Sequence, residues 1–375
     1  MSSTKRALIV VAVLVCVVAA GSAIYLYRSS RPLPAPSGSK GPAPTLLDLL
    51  PANAPAIAYI DVAALRKLQN SPLTGLLGLT GTATPETHSE GIDRDYAQFM
   101  RDTGFDYSRD LDQTAIAFWP HELTPAANDA GANPSLAIAD GRFDQQKIIA
   151  YALRVGGRSE TVGKGKRYIV PGKPDVAFEF LSPTRIAIAS GKHPEDLLNL
   201  SKGASGGSDQ KANAGSDPTV RTRVQRVAGA PIFGVATTNQ LPADFYASFK
   251  NSPQLESIVR SIQSLSLSGQ PEGNVIHLAL DAECTSMTKA IELSALLDTF
   301  RVLGSMSLSD PKTREQMQMT REEAAFVEAL LKEAKLSHQE RWVRISLDLT
   351  PPMLGEPAHR PSAHKRRHAS PERDH

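Results

Sequence analysis

Three short strings in this sequence carry residue types that could do chemistry. Ser286-Met287-Thr288-Lys289 fits Ser-x-x-Lys, in which a lysine activates a serine hydroxyl, and it opens a predicted helix just after a predicted strand. The Ser-Asp-Asn and Lys-Thr-Gly partners of that arrangement are absent, so Ser286 or Thr285 is expected to cap the helix instead. Gly203-Ala204-Ser205-Gly206-Gly207 fits Gly-x-Ser-x-Gly. A nucleophile elbow needs a strand before it and a helix after it, whereas this string stands in Ser/Gly-rich chain. Gly163-Lys164-Gly165-Lys166 lacks the Walker spacing that wraps backbone N–H groups around phosphates, and reads as a basic turn before a strand at Arg167. Neither a His-Glu-x-x-His string nor an EF-hand loop occurs.

Single residues add little. Cys284 is one of two cysteines and stands at a predicted strand end with no histidine nearby, so it reads as a small buried residue. Two cysteines also exclude a disulfide-dense scaffold and a four-thiolate zinc site. Trp119-Pro120-His121-Glu122 ends a strand and could line a cleft, though an aromatic at a sheet edge is the simpler reading. His364 and His368 have an i, i+4 spacing, but Pro351, Pro352, Pro357, Pro361 and Pro371 argue against helix there. No catalytic, cofactor-binding or metal residue is assigned, and no cofactor is expected.

The elements that would position any site begin with an address. The run from Ala7 to Leu26 is 20 residues without a charge, preceded by Lys5 and Arg6 and followed by Tyr25, Tyr27 and Arg28. A helix of that length spans a hydrocarbon core of roughly 30 Å. Its length favours an uncleaved inner-membrane anchor over a signal peptide, despite the small residues Gly21-Ser22-Ala23. Flanking positive charges nearly balance; a short tail ahead of a large domain favours a single pass with the C-terminal domain in the periplasm, a cytoplasmic orientation being the alternative. Residues 29–44 hold five prolines and read as a stalk.

The chain has 375 residues and a net charge of +2. The first 40 residues carry five basic groups and no acidic ones, and residues 351–375 five basic and three acidic. The remainder is therefore mildly acidic, with 31 basic and 36 acidic side chains, and has no electrostatic footprint for nucleic acid. The basic, His-rich tail reads as disordered.

The body is expected to be α+β: two lobes, a candidate repeat, of mostly antiparallel sheet with helices packed on one face. The first lobe covers residues 45–200, a Ser/Gly-rich linker 201–217 and the second lobe 218–350. Strands are predicted over 56–60, 113–119, 135–139, 167–170, 176–181, 185–189, 231–236, 262–267, 274–281 and 341–349. Helices are predicted over 62–69, 91–102, 144–155, 218–227, 285–303 and 313–335, with another starting at Pro194; Ile148, Ile149, Ala152 and Leu153 should face inward. PIFGVA at 231–236 matches PAIAYID at 55–61, and NVIHLALD at 274–281 matches PSLAIAD at 134–140, each in the same order.

The run from Leu50 to Leu65, LPANAPAIAYIDVAAL, after an apolar span and a Pro-rich stalk, resembles a family of uncharacterised membrane-anchored bacterial proteins whose ectodomain opens with an LPADAP-like strand motif. That resemblance implies topology and repeated α+β lobes and transfers no catalytic residue; Asn53 stands where the pattern has Asp. The expected function is a membrane-anchored envelope protein with a non-enzymatic binding or scaffold ectodomain and an unidentified envelope partner. The alternatives are a hydrolase using Ser286 and Lys289, and a cytoplasm-facing tethered regulator.

Overall fold

The computed structural model describes residues 45–67, 92–119, 134–163, 165–172, 174–203, 214, 217–238, 252–310, 314 and 321–350. The apolar run from Ala7 to Leu26, the stalk, the tail histidines and Pro120-His121-Glu122 lie outside the described residues. Among those described, no helix is long and apolar enough to cross a membrane.

The body is α+β and is built on one large antiparallel sheet. β1 (Ala56–Asp61) lies at its centre, with β2 (Leu111–Phe118) on one side and β8 (Ile232–Thr237) on the other. From β2 the sheet continues through β3 (Ser135–Gly141), β7 (Arg185–Gly191), β6 (Asp175–Ser182), β5 (Gly165–Val170) and β4 (Arg158–Val162). From β8 it continues through β9 (Ile262–Glu272), β10 (Val275–Cys284), β12 (Trp342–Leu349) and β11 (Lys335–Gln339). Read outward from the β1–β8 pair, β1-β2-β3-β7-β6 and β8-β9-β10-β12-β11 have the same order. The expected succession of matching strands is therefore present, but the halves meet as neighbouring strands of one sheet. The register is symmetric about that seam, pairing Ile57 with Val235 and Tyr59 with Phe233.

Helices cover both faces, not one. The cause is legible in β1, β3 and β7, whose AIAYI, LAIA and IAIA runs are apolar at every position and must be covered twice. On the first face, Ile57, Ala117, Leu136, Ala189, Ala177 and Ile169 form a row across adjacent strands. This row is buried with Leu46 and Leu47 of a 3₁₀ turn (Thr45–Leu49), and with Leu198, Val220, Val224 and Val227. Leu198 belongs to one helix, Pro194–Gly203, and the three valines to another, Pro218–Val227. The opposite face carries α1 (Val62–Arg66), α2 (Ile92–Thr103) and α4 (Gln145–Arg154), with α3 (Tyr107–Asp110) a single turn between them. In chain order the two helices on the first face are α5 and α6. The second half of the opposite face packs α7 (Pro253–Arg260), α8 (Met287–Ser309) and α9 (Arg321–Glu333).

Helix starts follow their caps: Asp61 accepts from Ala64 N at 2.7 Å, Asp144 from Lys147 N at 3.1 Å and Asp217 from Val220 N at 3.0 Å. Several boundaries depart from expectation. α1 ends at Arg66. Leu153 is 46% exposed, because Ile148 and Ala152 define the buried face of α4 and the next residue lies about 100° further round. α9 stops at Glu333, and Lys335 begins edge strand β11, drawn in by Leu336 packing near Leu280 and Ile345. β4 was not expected, since RSETV has no apolar alternation; it forms as the outer partner of β5, pairing Val162 with Gly165, with Gly163 at φ 60°. Ala214, inside the expected linker, is buried and donates its N–H to Leu50 O at 2.8 Å.

Phe233 is buried at the seam and stacks on Tyr59 with centroids 5.0 Å apart. Phe233→Ala should cost about 3–5 kcal/mol. Because the sheet is continuous, urea unfolding of the parent chain should show one midpoint in both halves. Single-tryptophan variants report this, W342F leaving Trp119 and W119F leaving Trp342; separate midpoints would show independent halves.

Candidate functional site

A concavity among the described residues lies between the sheet and the helices of the first half. Its floor spans five adjacent strands: Thr114 of β2, Ala137 and Ala139 of β3, Ile186 and Ile188 of β7, Val176 and Phe178 of β6, and Val170 of β5. Its roof is Phe99 of α2, Phe105, Phe143, and Ile148, Tyr151 and Ala152 of α4. It is half-open and has a volume of about 430 Å³. Small side chains at Ala137 and Ala139 deepen the floor. The roof rings brace one another instead of filling it: Phe105 stacks on Phe143 at 5.3 Å and Phe99 meets Tyr151 edge-on at 5.2 Å.

Local chain geometry places that roof. Thr103 Oγ1 donates to Phe99 O at 2.7 Å and accepts from Phe105 N at 3.2 Å. Gly104 turns the chain with φ 72°, a left-handed conformation that suits glycine, and Phe105 folds back over the sheet. At the end of β3, a Cβ on Gly141 would collide with Asp110 O; Arg142 N donates to that same oxygen at 2.8 Å. Phe143 is thereby set against Phe105.

Asp110 fastens the two roof loops. Its carboxylate accepts from Arg109 Nη2 at 2.7 Å, from Asp106 N at 3.0 Å and from Arg142 Nε at 3.4 Å. The Arg109 hydrogen bond chiefly holds this carboxyl down at about 2, with Asp106 N–H and Arg142 assisting against the opposing effect of burial. A second tie joins α4 to α2, where Arg154 pairs with Asp102 and lies over the Tyr151 ring at 5.3 Å. The Arg154 hydrogen bond lowers the Asp102 carboxyl from its usual value.

The lining carries no amide or charged side chain, and the hydroxyls of Thr114 and Tyr151 are turned away from its interior. Thr114 Oγ1 is engaged with Ile138 O at 3.3 Å. Such a surface cannot polarise a bond or bind a metal; it can remove hydrocarbon from water.

The residues singled out by sequence do other work. Ser286 Oγ accepts from Lys289 N at 3.2 Å as an N-cap, and Lys289 Nζ pairs with Glu292 at 2.7 Å. Gly203 is the last residue of α5, so a helix and not a strand precedes the Gly-x-Ser-x-Gly string; residues 204–207 lie outside the described residues. Cys284 is fully buried, and burial pushes its thiol up to about 11, the reverse of an activated nucleophile. Trp119 packs against the first-face core. No cluster of His, Cys, Asp and Glu suited to a metal occurs among the described residues.

Sequence reading missed a polar layer on the first face of the second half. Arg344 binds Asp281 through two hydrogen bonds of 2.7 and 2.6 Å. Glu283 accepts from Arg223 at 3.0 Å and Ser264 at 2.8 Å and pairs with Arg341 at 2.7 Å; Arg226 stacks on Trp342 at 3.9 Å. His277 sits between Asp348 at 2.7 Å and Glu272 at 3.0 Å, and the Asp348 contact chiefly raises its pKa. The SLSLS alternation of β9 hinted at this layer, but its ion pairs join residues about 60 positions apart.

No protein-family model matches the chain, and no curated protein is significantly similar to it. Among solved structures it is similar to TP0453. Crystal form III gives a TM-score of 0.41 at 10% identity over 82% of this chain and 95% of that one. Crystal form IV gives 0.43 at 10% identity over 81% and 92%. These scores carry nothing about function.

Asp110 has a depressed pKa, so its stabilising contribution is complete above the ordinary carboxylate range and is lost as pH falls from about 4 to about 2. Asp110→Asn should therefore lower stability at pH 7 by about 1–3 kcal/mol. Thermal melts at stepped pH should show the gap to the parent protein closing across that acid window.

Proposed function

We propose that this chain is a membrane-tethered, non-enzymatic binding protein whose body takes up a hydrocarbon ligand. The observation that carries this reading is the lining of the cavity, fifteen residues with no polar group turned to the interior. An apolar surface of this extent, left half-open, costs free energy in water that an apolar occupant recovers, at about 25 cal/mol for each Å² covered. The hydrolase alternative loses its support, because Ser286 serves the α8 N-terminus through its Oγ and Lys289 is paired with Glu292.

The tether is the apolar run from Ala7 to Leu26, followed by a proline-rich stalk, in the inner membrane with the body in the periplasm. The two halves of the sheet are read as copies of one unit, on the shared strand order and the symmetric seam. Among the described residues, the hairpin β4–β5 and the cavity belong to the first copy.

Two measurements test the reading. The full chain should enhance the fluorescence of N-phenyl-1-naphthylamine, and Ala139→Phe, which fills the floor, should weaken binding at least tenfold without lowering the melting temperature; equal binding by A139F removes the cavity from the proposal. A C-terminal alkaline-phosphatase fusion should be active, as a periplasmic body requires; an inactive fusion favours the cytoplasm-facing regulator.

A further inference from the structure

We infer that the occupant is one straight hydrocarbon chain of about sixteen to eighteen carbons, the tail of a single-chain amphiphile, selected by length and not by headgroup. This rests on the hydrocarbon-binding reading above and names its ligand class.

Length and width come from the floor. The cavity runs across β2, β3, β7, β6 and β5, four inter-strand spacings, or about 19 Å at ~4.8 Å each. Spread over that length, 430 Å³ makes an elongated trough of small cross-section, which suits one extended methylene chain better than a compact fused-ring skeleton. Capacity agrees. A 150 Å³ apolar cavity accepts benzene with its six carbons, so 430 Å³ holds about seventeen.

The headgroup argument comes from the charges beside the lining. Arg142 precedes Phe143, and Arg154 follows Tyr151 by one turn; their side chains are 62% and 55% exposed. Each is already paired, Arg142 with Asp110 and Arg154 with Asp102, and Arg109 is paired with Asp110 as well. Asp106 adds a third carboxylate beside Arg109, so the three cations are matched by three carboxylates and present no surplus positive charge to an anionic head. With no polar group of the lining turned to the interior, the tail alone sets affinity.

The test is displacement of cis-parinaric acid from the delipidated full chain by straight-chain carboxylic acids of eight to twenty-two carbons, with matching alcohols and lysophosphatidylcholines. Affinity should rise about fourfold per added methylene and level off near sixteen to eighteen carbons. At equal length the three headgroups should agree within threefold, which covers both a free fatty acid and a membrane-derived lysolipid as source. A diacyl phospholipid or a sterol should bind at least tenfold more weakly. Ala139→Leu adds three carbons to the floor and should move the plateau about three carbons shorter, while Ile186→Ala should move it longer; Lys289→Ala, remote from the cavity, should leave it in place. A flat length series, a plateau unmoved by both cavity variants, a strong headgroup preference or tighter sterol binding would overturn the assignment. If parinaric acid and N-phenyl-1-naphthylamine both fail to bind, the hydrocarbon-binding reading falls too; if they bind without a length slope, only the chain assignment falls.

Discussion

The pairing of β1 with β8 is the constraint on which the rest of the structure depends. Each strand is short and apolar on both sides, and each would be an exposed, sticky edge without the other. Joined, they place Tyr59 against Phe233 and turn two part-sheets into one hydrogen-bonded surface. Because the seam is antiparallel and symmetric, the chain leaves it in opposite directions, and the two halves build outward without competing for space. Every helix then has only to cover a face already laid down.

The two halves use this frame differently. On the opposite face of the second half, α8 and α9 pack against Leu280, Val343, Ile345 and Leu347. In the first half, α4 is the corresponding helix after β3, but it stands over alanines and is braced by aromatic loops. The cavity thus owes its depth to the small side chains of Ala137 and Ala139 and its height to ring-on-ring contacts that brace the roof. Two carboxylates, Asp102 and Asp110, fasten that roof at its periphery, where ion pairs cost less desolvation than in the interior.

Much of the secondary structure was legible because it is locally encoded. AIAYI followed by Asp, Asp217-Pro218, the Gly156 stop after α4 and the Ser286 cap each carry their own signal. β4 and β11 were missed because edge strands need no apolar alternation; their partners supply the hydrogen bonds. Helices on both faces could have been inferred from the doubly apolar β1, β3 and β7. The cavity was not legible at all. Its roof residues Phe105 and Phe143 sit in loops, its floor alanines read as ordinary strand, and their juxtaposition exists only after five strands, two helices and those two loops converge. Nothing in a linear string marks the absence of volume.

The sheet's two rims have a consequence of their own. β4 and β11 are five residues each, shorter than any of the ten strands between them, and β4 is exposed along most of its length with Arg158 and Glu160 outward. A twelve-stranded sheet thus offers neighbouring molecules only two brief, polar places to add a strand. At high local concentration, that brevity acts as a colloidal safeguard, letting copies crowd together without polymerising edge to edge.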